Sequence, residues 1–183
     1  MFLNRTNELA DLQRPYQAPR AEFVVLWGRR RVGKTSLIWA FCQEKPHLFY
    51  FSERASADYL LREFSRMIAA ARQPTATVPA DFTYPDWYTA FRELALLAAQ
   101  ERLIVVIDEF PYLAESVPGV ATALQKAWDL HLSTSRIMLV LTGSTLSVMS
   151  HHVLDASSPL YGRHTWAFEL KPLLIYDLPA FLP

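Results

Sequence analysis

Residues 28–35 constrain this chain more than any other stretch. Gly28-Arg29-Arg30-Arg31-Val32-Gly33-Lys34-Thr35 fits the pattern G-x-x-x-x-G-K-[ST] at every fixed position. Phe23-Val24-Val25-Leu26-Trp27 precedes it as a short apolar run without alternation, as in a strand buried on both faces of a parallel sheet. Residues 36–43 read as the helix that follows. The composition of the loop suits an anion. Glycines at the fixed positions let the backbone turn tightly and approach a phosphate with no Cβ in the way. Successive N–H groups then form a nest at a helix N-terminus. Lys34 is placed to reach the β- and γ-phosphates of a nucleotide, and the Thr35 hydroxyl to ligate Mg2+. Ser36 joins residues 28–35 in this binding set. Of the 18 basic residues only 4 are lysines, so a lysine at position 34 stands out. Arg29, Arg30 and Arg31 fill variable positions. They either face solvent or raise the local potential for an anionic ligand.

Elsewhere strand-like and helix-like segments alternate. Leu9 and Leu12 fit a short N-terminal helix that Pro15 ends. Leu48-Phe49-Tyr50-Phe51 reads as a second strand. Residues 57–72 carry Leu60, Leu61, Phe64, Met67 and Ile68 at helical spacing. Residues 73–84, with Pro74 and Pro79, read as a surface loop. Asp86 is an N-cap candidate for a helix to Gln100. Trp87, Phe91, Leu94 and Leu97 or Ala98 form its apolar face, read as core packing. Residues 103–107 and 137–141 are further buried-type strands, residues 120–132 a helix, and residues 166–170 a fifth strand. Residues 151–163 are polar and irregular. The alternation predicts an α/β fold, a parallel sheet with helices on both faces. At 183 residues, one domain over residues 1–183 is expected. Ligands bind beyond the carboxyl ends of the strands in such sheets.

Two more segments with chemistry fall at such ends. Leu103-Ile104-Val105-Val106-Ile107 delivers Asp108-Glu109 to its mouth. Asp108 is read as holding Mg2+ through water, and Glu109 as the general base that polarises an attacking water. Thr142-Gly143-Ser144 ends the next strand. Ser144 first, and Thr142 second, is the hydroxyl expected to sense a γ-phosphate or orient the water; the other reading is a local turn. Arg163, before the last strand, is either an arginine that stabilises transition-state charge or a surface ion pair. The five histidines, His151-His152 included, lack metal-site spacing. The single Cys42 excludes an internal disulfide and fits a cytoplasmic setting, and the N-terminus reads as neither signal nor transit peptide. Apolar stretches are strand-sized, so no membrane span is expected. A formal net charge of +0 gives no support for DNA binding.

Taken together, these motifs resemble the predominantly archaeal P-loop ATPase domain family, placed among the STAND branch of the ASCE NTPases. The matching pieces are Phe2-Leu3-Asn4-Arg5-Thr6-Asn7-Glu8-Leu9, residues 27–37, Val105-Val106-Ile107-Asp108-Glu109-Phe110-Pro111-Tyr112-Leu113, Leu124-Gln125 with Trp128-Asp129, and Leu141-Thr142-Gly143-Ser144. Pro159-Leu160-Tyr161-Gly162-Arg163 and Leu170-Lys171-Pro172-Leu173 complete the set. The resemblance implies a P-loop NTPase fold with a five-stranded parallel sheet in the order 5-1-4-3-2. It implies that the segment from Asn4 and Arg5 to Glu8 packs near the adenine, and it favours a functional role for Arg163. Members often have glycine where this chain has Asn4. Members usually continue into a helical lid and a winged-helix domain. Against that pattern, a chain that stops at Pro183 reads either as a truncated piece of a longer protein or as a core needing a downstream domain, a second copy or a partner protein.

The leading expectation is ATP binding with Mg2+-dependent hydrolysis to ADP and phosphate. The rival is a nucleotide-dependent switch or interaction module with negligible turnover. A GTPase is disfavoured, because Asn4 and Asn7 are the only asparagines and no Asn-Lys-x-Asp guanine reader exists. A small-molecule kinase is disfavoured because Glu109 beside Asp108 suits water activation. An apolar stretch in residues 172–182 is expected to pack on the core edge or dock a further domain.

Overall fold

The computed structural model describes residues 5–144 and 149–173. The expected packing of the apolar segment therefore lies mostly outside the described residues, as does Asn4. Five strands form one sheet: β1 (Glu22–Trp27), β2 (His47–Phe51), β3 (Leu103–Asp108), β4 (Ile137–Gly143) and β5 (Trp166–Glu169). Their order is β2-β3-β4-β1-β5, and every pair is parallel. This is the order 5-1-4-3-2 that the family resemblance implied.

Burial on both faces explains why the strand sequences do not alternate. Phe23, Val25, Val105, Ile107, Leu139 and Leu141 face one apolar cluster. It is completed by α3 (Ala57–Arg72), α4 (Trp87–Leu97) and α6 (Val120–Leu130). Val24, Leu26, Ile104, Val106, Met138 and Val140 face the other, against Leu12 of α1 (Thr6–Gln17) and Leu37, Ile38 and Phe41 of α2 (Lys34–Cys42). The aromatic stripe of α4 is core: Phe64 lies 5.2 Å from Trp87 and 5.4 Å from Phe91, ring to ring. The carboxyl ends line up, with Trp27 level with Gly143 and Glu169, and Phe51 level with Asp108. No helix among the described residues is long and apolar enough to cross a membrane.

Four local expectations are corrected. Pro15 does not end α1, which runs on to Gln17. A proline forfeits one helical hydrogen bond. Here its ring is buried, and its carbonyl accepts from Ala18 N–H and Arg102. The helix begun at Asp86 stops at Leu97, short of Gln100, where the Ala98 carbonyl accepts instead from Arg136 N–H in the approach to β4. A helix not read from the sequence, α5 (Phe110–Ser116), follows β3. The predicted helix at 120–132 divides into α6 and a 3-10 turn at Leu132–Thr134.

Candidate functional site

The loop between β1 and α2 rises from the carboxyl edge of the sheet. Gly28 is required by a close approach: a Cβ there would collide with the carbonyl oxygen of Leu170, whose own N–H donates to Trp27 at 2.7 Å. Gly33 is required by conformation instead. Its φ of 97° is left-handed, and nothing crowds a Cβ there. Arg31 also sits at a left-handed φ of 64°. Lys34 is buried at the first position of α2. Its Nζ donates to the carbonyls of Gly28 at 2.9 Å and Arg29 at 3.4 Å, and lies 3.9 Å from Glu109 Oε1. Burial holds its pKa below the ordinary lysine range; Glu109 and Asp108 oppose that shift, and the nearby Arg30 adds to it.

A chain of hydrogen bonds crosses from this loop to β3 and β4. Thr35 Oγ1 donates to Asp108 Oδ2 at 2.7 Å. Thr142 Oγ1 donates to Asp108 Oδ1 and accepts from the Glu109 N–H at 3.0 Å. Ser144 Oγ lies 2.9 and 2.7 Å from the two oxygens of Glu109. Register brings these groups together, because Ile107 pairs with Leu141 and sets 108–109 beside 142–144. Glu109 itself is left-handed, at φ 52° and ψ 48°. That conformation costs about 1–2 kcal/mol for a residue with a Cβ, and the Thr142 bond helps to hold it. Thr142 is fully buried, so its hydroxyl serves the two acidic residues; Ser144 is half-buried at the mouth. The two hydroxyls thus make ties across the sheet, unlike those of a local turn that bonds its own backbone.

The remaining sequence-predicted residues separate. Arg29, Arg31 and Ser36 are exposed on the loop and first turn. Arg30 Nη2 donates to the Tyr112 hydroxyl of α5, a residue in the stretch that carries the family resemblance but not one read there as part of the site. Val32 offers its carbonyl to Arg5 at 3.2 Å. Arg5 is buried, and it also bonds Glu8 Oε1 at 2.6 Å and the Lys171 carbonyl at 2.9 Å. Its guanidinium therefore ties α1, the loop and the segment after β5, where the resemblance implied an adenine contact.

Arg163 lies apart from these groups within its own chain. The finger reading needs it at the phosphate mouth, and the same chain puts it at the other end of the sheet. Thr165 N–H bonds the Phe23 carbonyl near the start of β1. Five residues of strand separate Phe23 from Gly28, roughly 16 Å of rise. Arg163 Nε and Nη2 instead grip Asp129 of α6 at 2.9 and 2.8 Å, and Nη1 caps the carbonyls of Pro159 and Tyr161. His151 and His152 meet edge to face, their ring centres 4.9 Å apart. No three His, Cys, Asp or Glu side chains among the described residues gather around an ion site.

Comparison with known proteins agrees with this geometry. The family described as an ATPase domain predominantly from Archaea matches residues 2–182. An uncharacterized protein of Methanocaldococcus jannaschii is 34% identical over 183 residues, all of this chain and 38% of the relative. An uncharacterized ATP-binding protein of the same organism is 49% identical over 45 residues, 25% of this chain and 76% of that protein. Among solved structures, a Walker-type ATPase of Pyrococcus abyssi superposes with a TM-score of 0.76 at 24% identity, covering 98% of this chain and 57% of that one. The ORC2 protein of Aeropyrum pernix, in its ADPNP–ADP complexes, gives 0.63 at 17%, covering 97% and 50%. At such identities the structural likeness speaks for the fold alone. The chain spans about two fifths of the full-length Methanocaldococcus relative. With residues 2–182 matched, the chain belongs to the family of ATPase domains found predominantly in Archaea.

Proposed function

We propose that the chain binds Mg–ATP and hydrolyses it to ADP and phosphate. One observation carries this reading: Lys34, Thr35, Asp108, Glu109, Thr142 and Ser144 converge from three strand ends into one connected polar set. In this reading the loop amides and Lys34 bind the phosphates. Thr35 and Asp108 would hold Mg2+, since both are hard oxygen donors and lie 2.7 Å apart. When bound, the ion offsets charge on the phosphate oxygens. Glu109 accepts a proton from the attacking water as the water oxygen bonds the γ-phosphorus. The bond to the β–γ bridging oxygen breaks, and ADP leaves with its electron pair. Ser144 fixes the carboxylate that does this.

A second reading has a specific observation behind it. Glu109 is engaged by Ser144, and Lys34 by the loop's own carbonyls, so the polar groups of the site are tied to one another. That suits a nucleotide-dependent switch whose turnover waits on a downstream domain, a second copy or a partner protein. A cytoplasmic setting and a single catalytic core over residues 1–183 belong to the same proposal. The neutral charge gives no ground for adding DNA to it.

The test is phosphate release beside calorimetric ATP affinity. Lys34→Ala is expected to weaken ATP binding and abolish turnover. Glu109→Gln is expected to keep binding and slow turnover by roughly 10²–10⁴-fold. Unchanged affinity in the first variant overturns the binding site. Equal rates in the second remove Glu109 as the base, and absence of turnover in every context leaves the switch.

A further inference from the structure

Arg30 and Tyr112 meet across the mouth although 82 residues separate them in the chain. Tyr112 lies in the first turn of α5, with its N–H bonded to the Glu109 carbonyl at 2.9 Å. Its ring carries the Arg54 guanidinium, 4.5 Å from the centroid. Arg54 is fixed in turn on Glu115 by two N–H bonds of 2.9 and 3.2 Å. The tyrosine is thus held by backbone and ring, and its hydroxyl is left to hold Arg30.

The bond draws Arg30 toward the side of the loop that Lys34 and Glu109 share. Tyr112 follows Glu109 by three residues, so the Arg30 side chain reaches the same strand mouth as the Glu109 carboxylate. A triphosphate seated in the loop directs its terminal phosphate toward the β3 mouth, where Glu109 stands. A neutral phenol is a weak partner for a guanidinium. A phosphate offers charge-assisted, forked bonds that are roughly twice as strong.

We infer that Tyr112 is a competing acceptor that holds Arg30 at the strand mouth beside the loop, and that Arg30 leaves it for the terminal phosphate when a nucleoside triphosphate binds. The inference rests on the proposed nucleotide site and adds a selectivity to it: Arg30 distinguishes triphosphate from diphosphate.

The experiment is calorimetric affinity for Mg–ATP and Mg–ADP on wild type, Arg30→Ala, Tyr112→Phe and the double variant. Lys34→Ala serves as reference. Phenylalanine keeps the ring and its Arg54 contact. Arg30→Ala is expected to weaken ATP binding about tenfold or more and ADP binding by less than about twofold, the size of a charge-assisted bond made by one ligand only. Tyr112→Phe removes the competing acceptor, so it tightens ATP binding a few-fold and leaves ADP unchanged. Without Arg30, Tyr112→Phe changes neither affinity. Should Arg30→Ala melt early, Arg30→Gln carries the same comparison. Equal losses for ATP and ADP, or a Tyr112→Phe effect that persists without Arg30, overturn this inference and leave the nucleotide site standing. A wild type that binds neither nucleotide, or a Lys34→Ala variant that binds like wild type, overturns the proposed function and the inference with it.

Discussion

Ser144 has one hydroxyl hydrogen and sits within bonding distance of both Glu109 oxygens. Whichever oxygen it serves, it restricts the rotation of a carboxylate whose backbone is already in an unfavourable conformation. Hydrogen bonds to charged groups contribute about 1.5–3 kcal/mol. Ser144→Ala is therefore expected to lower kcat about tenfold or more while ATP affinity holds, because the residue acts through Glu109. Threonine restores most of the rate, since it returns the hydroxyl. Steady-state phosphate release on both variants decides it, and an alanine variant with wild-type kcat removes the positioning role. The same residues show what one-dimensional reading reaches. Lys34, Thr35, Asp108 and Glu109 were legible because a phosphate loop and an acidic strand end each carry their chemistry in contiguous residues. The ties were not. Thr142 to Asp108 and Ser144 to Glu109 join residues 34 and 35 apart, and only strand register sets such pairs face to face. Arg30 to Tyr112 spans 82 residues and depends on a helix that the sequence did not announce.

Among the elements, α4 shows the conditions under which a helix can be read. Asp86 adopts an extended backbone and its carboxylate accepts the Thr89 N–H at 2.7 Å, so one orphan donor of the first turn is satisfied. The apolar stripe from Trp87 to Leu94 then runs unbroken into the core. In α5 both signals are missing. Its N-cap, Glu109, is left-handed and makes no side-chain cap, and seven residues are too few to show a period. A proline in the first turn is the only mark it carries, and that mark also fits a turn. The strands were legible for the opposite reason, since burial on both faces writes a continuous apolar run. The cap is testable on its own. Asp86→Ala should cost about 1 kcal/mol of stability. The bonds to Thr89 hold the Asp86 pKa below the usual aspartate value. A carboxylate depressed in this way stabilises the fold above its unfolded-state pKa and loses that contribution as pH falls through the folded value. The difference in melting temperature between wild type and Asp86→Ala should thus be full at neutral pH and shrink below about pH 4. A difference that stays constant into the acid range would assign the effect to packing instead.

At the level of the whole molecule the fold has two ends with separate duties. The carboxyl edge of the sheet gathers the phosphate loop, Asp108, Glu109 and Ser144. The amino edge is closed by contacts that reach no ligand group: Trp128 packs on Phe23 at 5.1 Å between ring centres, Thr165 bonds Phe23, and Arg163 grips Asp129. Arg163 joins the end of α6 to the connection that precedes β5, and its third nitrogen caps two carbonyls of that connection. An arginine used in this way has four of its five N–H donors engaged, and it stands roughly 16 Å of strand away from the loop at 28–35. Arg163→Ala is therefore expected to act on stability. Asp129 is partly exposed, so the ion pair is worth at most about 1 kcal/mol after solvent screening, and the lost carbonyl caps add a similar amount. For a chain of this length each kcal/mol lowers the melting temperature by about 2–4 °C. The variant should melt several degrees early with kcat and ATP affinity unchanged. Lysine should rescue poorly, because it cannot grip a carboxylate through a planar fork and cap two carbonyls at once. One arrangement would reverse this conclusion, in which the amino edge of one copy faces the phosphate mouth of another. Mixing Arg163→Ala with Glu109→Gln examines it directly: each supplies what the other lacks, and phosphate release restored by mixing would move Arg163 from architecture to chemistry across an interface. The bidentate hold of Asp129 on Arg163 predicts that mixing restores nothing.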